Sequence, residues 1–284
     1  MTIDRQDSEE IIRVMDRTHG RDISHYDASF LAKSIDKRLA ATGIMSHAAY
    51  NEYLSENSSE AKALFDSLNI SYSEFFRNPL TFALLEQLVL PGLIEEKKKT
   101  GQPEIRIWSA GSAAGQEAYS IAILMDEITA ATGNAGAFRI FATDISEPDL
   151  LLAKKGVFNS GAVQNVRLKH IRKYFISEGE TYTVTPALRD RVDFSAYNLL
   201  DERCSCPPAS IYGEFDLIVC SNLLFYYRPL IRQFILNKVH CCLSANGYLV
   251  TGEAEREIVA KTEGFRAVMP PAAVFQKTQA IFYC

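Results

Sequence analysis

No apolar run in this chain approaches the ~20 residues that a bilayer-spanning helix needs, so membrane insertion is not expected. The opening residues, MTIDRQDSEE, are polar and acidic, unlike a secretory leader. Basic charge is also short: 30 Lys and Arg stand against 35 Asp and Glu, a formal net of −5, which argues against a nucleic-acid partner. Metal chemistry has little to draw on. The five histidines form no ligand-spaced pair, and H-E-x-x-H does not occur. Cys204-x-Cys206 and His240-Cys241-Cys242 lack the C-x2-C or wider spacing that lets two thiols reach one zinc ion. No metal is expected, and the six cysteines read as free thiols of a reducing compartment. Internal repeats and low-complexity tracts are absent too. What remains is 284 residues, 47% apolar and 23% charged: a globular cytoplasmic protein with core enough for one large domain or two ordinary ones.

The first ~85 residues read as short helices without strand-like alternation. Ser8 is placed to cap a helix carrying Ile11, Ile12 and Met15, and a second runs from Ala28 to Ala41 and stops at Gly43. Ser46 and Ser58 are placed to cap two more. Pro91-Gly92 and the charged EEKKKTGQPE then look like a surface connection. Beyond it strands alternate with helices: strands over 104–109, 138–143, 215–220 and 247–251, helices near 116–130, 147–155 and 229–243. That order implies an α/β domain, residues 86–284, with a parallel sheet wrapped by helices. Residues 156–192 read as a small inserted subdomain, with ISEGETYTVTP as a hairpin.

Four stretches fall at strand ends, where a doubly wound sheet binds its ligands. RIWSAGSAAGQEAYSIA runs strand, small-residue loop, helix, the unit that brings backbone amides to a small ligand. It is neither Gly-x-Gly-x-x-Gly nor a Walker sequence, and it carries Glu117 just inside the helix. RIFATDIS ends a strand at Asp144, the usual place for a carboxylate gripping ribose hydroxyls. VDFSAYNLLD offers Asn198 after a short strand, and FDLIVCSNLLFYY empties into Ser221, Asn222 and Tyr226. Each residue also has a plain alternative: a helix cap for the acids, a turn for the asparagines, core packing for the tyrosine.

Taken in order, EFFRNP (74–79), WSAGSAAGQEAYSIA (108–122), FATDIS (141–146) and CSNLLFYY (220–227) resemble the CheR family. Its members are S-adenosylmethionine-dependent methyltransferases that methylate glutamate side chains on bacterial chemotaxis receptors. The resemblance covers nearly the whole chain and implies a helical N-terminal domain, residues 1–85, ahead of a Rossmann-like methyltransferase domain. It implies Glu117 for the cofactor's ammonium, with the Gly111–Gly115 turn allowing close approach. Asp144 would take the ribose hydroxyls, and Asn198 and Leu199 would flank the adenine. Ser71, Ser73 and Arg77 would close over the cofactor, and Ser221 and Asn222 would complete the floor. A glutamate acceptor is ionised at neutral pH and needs no general base; Arg77 would orient it, and Tyr226 would be a wall and hydroxyl donor beside the methyl group.

The family commonly has Asn and Thr where Ser71 and Ser73 stand, and Arg where Ser221 stands. Gln116-Glu117-Ala118 replaces its usual Glu-Glu-Pro. The resemblance also implies receptor docking through a basic helix, here Lys33, Lys37 and Arg38, although residues 1–84 hold nine basic and thirteen acidic side chains. Members that tether to a receptor's C-terminal pentapeptide carry a longer, glycine-bearing loop than YFISEGETYTV (174–184), so no such tether is expected. A monomer is expected. Two other readings stay open: a methyltransferase acting on another carboxylate, and a non-catalytic cofactor-binding signalling adaptor.

Overall fold

The computed structural model describes residues 5–101, 104–131, 138–210 and 213–279. Two compact units are present, one of Met1–Ile70 with Phe225–Arg232, the other of Ser71–Leu224 with Gln233–Cys284.

The first unit is built on helices Arg5–His19, Ala28–Thr42, His47–Glu56 and Ser58–Leu68. Ile11 and Met15, Leu31 and Ile35, and Tyr50 and Leu54 are each four apart, so each pair falls on one helix face, and all six are buried. Three caps fix the starts, each worth about 1 kcal/mol: Asp27 accepts from the Ser29 amide, Ser46 from Ala49, and Asn57 from Glu60. Two caps read from the sequence are corrected. Ser8 lies inside the first helix, and Asn57 rather than Ser58 caps the fourth. Asn57 and Ser58 are both capping types, and Asn57, one step earlier, already has the extended backbone that a cap requires. The strand-like return Tyr26–Tyr227 and the bond from the Asp27 amide to the Tyr226 carbonyl, 2.7 Å, tie residues 225–232 to this unit.

The second unit contains β1 (Ile105–Ala110), β2 (Phe138–Asp144), β3 (Val157–Asn159), β4 (Phe175–Glu178) and β5 (Thr181–Val184). β6 (Val192–Ala196), β7 (Phe215–Cys220), β8 (Leu243–Thr251), β9 (Phe265–Ala267) and β10 (Val274–Lys277) follow. The large sheet runs β6-β2-β1-β7-β8-β10-β9. Its first five strands are parallel, and β10 is antiparallel to both its neighbours. All six residues of β7 are buried, as a strand covered on both faces requires. The chain leaves β1 for β2 on one side and later returns as β7 on the other, so the strand order reverses at β1. That is where such sheets open a ligand crevice. The inserted segment forms a separate sheet, β3-β5-β4, with Gly179 in left-handed backbone at the β4–β5 turn.

The surface connection expected near Pro91-Gly92 is a helix instead. Pro79–Leu84 continues through a π turn, Leu85–Val89, into Leu90–Thr100, burying Leu85, Val89, Leu90, Leu93 and Ile94. The wide turn precedes Pro91, whose missing N–H a regular helix would have needed. A second correction concerns the thiols. Cys204, Cys206, Cys220 and Cys242 are free, but Cys241 is disulfide-bonded; which thiols meet is a tertiary fact that spacing along the chain does not carry. Among the described residues no helix is long and apolar enough to cross a membrane.

Candidate active site

The loop after β1 is moulded onto the end of β2. The Gly111 and Ser112 amides both donate to the Thr143 carbonyl, at 2.8 and 2.9 Å, the Ala113 amide to Asp144 Oδ2 at 2.8 Å, and the Gly115 amide to Ser112 at 2.9 Å. These four amides are engaged within the fold. What the loop provides is close approach. Gly111 has φ +75°, and a Cβ there would lie 3.0 Å from Leu223 Cδ1. Gly115, at φ +90°, would press a Cβ to 2.9 Å from Phe194 Cζ.

The segment before helix Pro79–Leu84 is pinned by its aromatics. Phe75 is wholly buried, edge-on to Phe158 and Phe175. Phe76, in left-handed backbone, donates its amide to Ser120 Oγ at 3.0 Å. The next side chain, Arg77, is thereby delivered to a cavity. Ser73, Arg77, Gly111, Glu117, Ser221 and Asn222 all line it.

Glu117 is the chemical centre of this cavity. Burial pushes its carboxyl up to about 7, against the lowering effect of hydroxyls at Ser109, 2.9 Å away, and Ser221. The Glu255 charge raises it further, and the Arg77 charge lowers it. Among the described residues its hydrogen-bond partners are hydroxyls, so an ammonium would find a desolvated carboxyl group there. The Arg77 guanidinium lies 5.1 Å over the Tyr72 ring and, among the described residues, forms no ion pair with a carboxylate. Among the described residues no histidine, cysteine or lysine lines the cavity.

The other expected residues are placed differently. Asp144, at the end of β2, accepts from the Ala113 and Ser146 amides, and burial raises its carboxyl above the usual range despite them. Ser71 donates to Asp149 on the helix after β2. Asn198 is exposed and accepts from the Leu200 amide at 2.9 Å, and Leu199 is buried beside it. Tyr226 stands in the first unit, its ring 4.7 Å from Phe30. Lys33 and Lys37 are exposed, but Arg38 is not part of a free basic patch: its fork grips the buried Glu60 at 2.8 and 2.6 Å, with Tyr50 as third partner. Two contributors escaped the sequence reading. Ser109 sat inside the first motif unassigned, and Glu255 was signalled only by Gly252-x-x-Glu255 after the last parallel strand.

A family model described as CheR methyltransferase, SAM binding domain, matches residues 71–273, and one described as CheR methyltransferase, all-alpha domain, matches residues 6–68. The chain is 35% identical over 196 residues to chemotaxis protein methyltransferase 1 of Pseudomonas aeruginosa, covering 67% of this chain and 68% of that protein. It is 30% identical over 227 residues to the chemotaxis protein methyltransferase of Escherichia coli, covering 77% and 73%. It also matches an uncharacterized 104.1 kDa protein of Rhodobacter capsulatus, at 28% identity over 230 residues; there it covers 81% of this chain but spans only 23% of the relative's length. The chain belongs to the CheR methyltransferase family, and its cofactor is S-adenosyl-L-methionine. The residues present fit that group. Glu117, without an ion-pair partner among the described residues, lines the cavity together with Ser73, Ser221 and Asn222.

Proposed function

We propose that this protein transfers a methyl group from S-adenosylmethionine to glutamate carboxylates of a chemotaxis receptor, in the cytoplasm, giving glutamyl methyl esters. The observation that carries the reading is that Arg77, which among the described residues forms no ion pair with a carboxylate, lines the same cavity as the buried Glu117. When bound, the cofactor supplies a methyl group already activated by its sulfonium. Glu117 would hold the ammonium and Asp144 the ribose hydroxyls, each with lone pairs to spare. Asn198 and Leu199 would flank the adenine, while Ser71, Ser73, Ser221 and Asn222 would border the site, with Gly111 and Gly115 allowing close approach. Arg77 would align the acceptor carboxylate and, with the apolar walls Phe82, Ile121 and Val250, strip it of water. No base is needed, because the nucleophile is already an anion. Tyr226 would border the acceptor, and the exposed Lys33 and Lys37 would meet the acidic receptor helix. The protein would act as a monomer.

The test is to supply methyl-labelled cofactor with membranes containing or lacking chemoreceptors. Label confined to a receptor-sized band supports the reading. Label on other proteins or small molecules favours another carboxylate substrate, and no transfer to any acceptor, with cofactor binding intact, favours an adaptor.

A further inference from the structure

Glu255 is a wholly buried carboxylate just beyond β8, between the strand and helix Arg256–Ala260. Four donors converge on it. Oε2 accepts from the Asn222 amide at 2.8 Å, the Gly252 amide at 2.9 Å and Thr251 Oγ1 at 2.8 Å, and Oε1 accepts from the Leu224 amide at 2.5 Å. Donors alone surround it, the setting of an anionic carboxylate; a neutral amide would turn its own N–H groups against some of them.

What it holds is the turn after β7. Asn222 has φ +59°, a left-handed backbone that costs a non-glycine residue about 1 kcal/mol and persists only when its surroundings enforce it. Gly252 is pressed against the same turn, since a Cβ there would lie 2.8 Å from Asn222 Oδ1. This turn carries Ser221 and Asn222 into the cavity. We propose that Glu255 is a positioning residue for the cofactor pocket, clamping the Ser221–Leu224 turn to the end of β8 so that Ser221 and Asn222 face the bound cofactor. It touches neither cofactor nor acceptor and acts through backbone amides. Its charge also reaches Glu117, whose other charged or titratable neighbours are Arg77, from the segment before helix Pro79–Leu84, and Cys220 on β7.

The experiment is calorimetric titration of S-adenosylhomocysteine into Glu255→Gln and Glu255→Asp across pH 5.5 to 8.5, with folding checked by circular dichroism. Both variants are expected to bind about tenfold more weakly, the effect of losing one buried hydrogen bond. Glu255→Gln, which lacks the charge, should also move the midpoint of the pH dependence to lower pH, whereas Glu255→Asp keeps it. A residue that only stabilises the fold would leave the affinity of the folded variants unchanged. Folded variants that bind within twofold of the native protein would overturn the proposal. If neither variant folds, Thr251→Val removes a single donor: roughly threefold weaker binding supports the clamp, and unchanged binding makes Glu255 a stability residue only. The pH test rests on the reading of Glu117 as the ammonium's partner. Glu117→Gln alongside separates the two, because unchanged binding there refutes that reading while the affinity losses at Glu255 stand or fall alone.

Discussion

Glu117 carries the binding account at the level of single residues. Replacing it with alanine should weaken S-adenosylhomocysteine binding by ~2–4 kcal/mol, the usual cost of breaking a charged hydrogen-bonded pair. Calorimetry measures this directly, and equal affinities would refute the ammonium assignment. The sign of its pH dependence follows from burial. A carboxyl raised from 4.5 to about 7 favours the free fold in its neutral form. That contribution is complete below pH 4.5 and is lost as pH rises through 7. The ammonium needs the ionised form, so binding should strengthen as pH rises through 7 and should release protons at pH 6.5. Titrations in buffers of different ionisation heat count those protons; none released would mean Glu117 is already ionised. Arg77 has a different role. Arg77→Ala should impair transfer more than product binding, and equal losses in the two would make it a cofactor clamp.

Among the elements, the β1 loop is the most tightly specified. Gly115→Ala must force a Cβ against Phe194 and Ala153 at 2.9 and 3.0 Å in a backbone that disfavours it. A loss of ~1–3 kcal/mol is expected, read as a Tm lowered by roughly 2–10 °C; an unchanged Tm would contradict the geometry. This loop was legible in the sequence, because a buried parallel strand is a continuous apolar run and Gly-rich text follows it. FDLIVC announced β7 for the same reason. Helix Leu90–Thr100 was not legible: Pro91-Gly92 reads as a break, and only the buried face of Leu90, Leu93 and Ile94 reveals otherwise. Glu255 was invisible for a deeper reason. Its amide partner Asn222 lies 33 residues away, and nothing local says which carboxylate a turn will find. That β2 engages the Gly111, Ser112 and Ala113 amides was likewise beyond what composition can say.

For the molecule as a whole, the inserted sheet bears on partner choice. Its β4–β5 turn is short, with one glycine, Gly179, so a receptor's C-terminal pentapeptide should not dock. Saturable micromolar binding in a titration with that peptide would refute this. The central claim is that a carboxylate oxygen receives the methyl group, and it rests on Arg77, which among the described residues forms no ion pair, in a cavity whose described lining holds no histidine, cysteine or lysine. The most direct test is alkaline treatment of receptor-rich membranes labelled by this protein with methyl-labelled cofactor. An ester is hydrolysed, and the label should leave the receptor band as volatile methanol. Label that stays on the protein after alkali would mean an N-methyl or ether product, and would contradict both the carboxylate acceptor and the role given to Arg77.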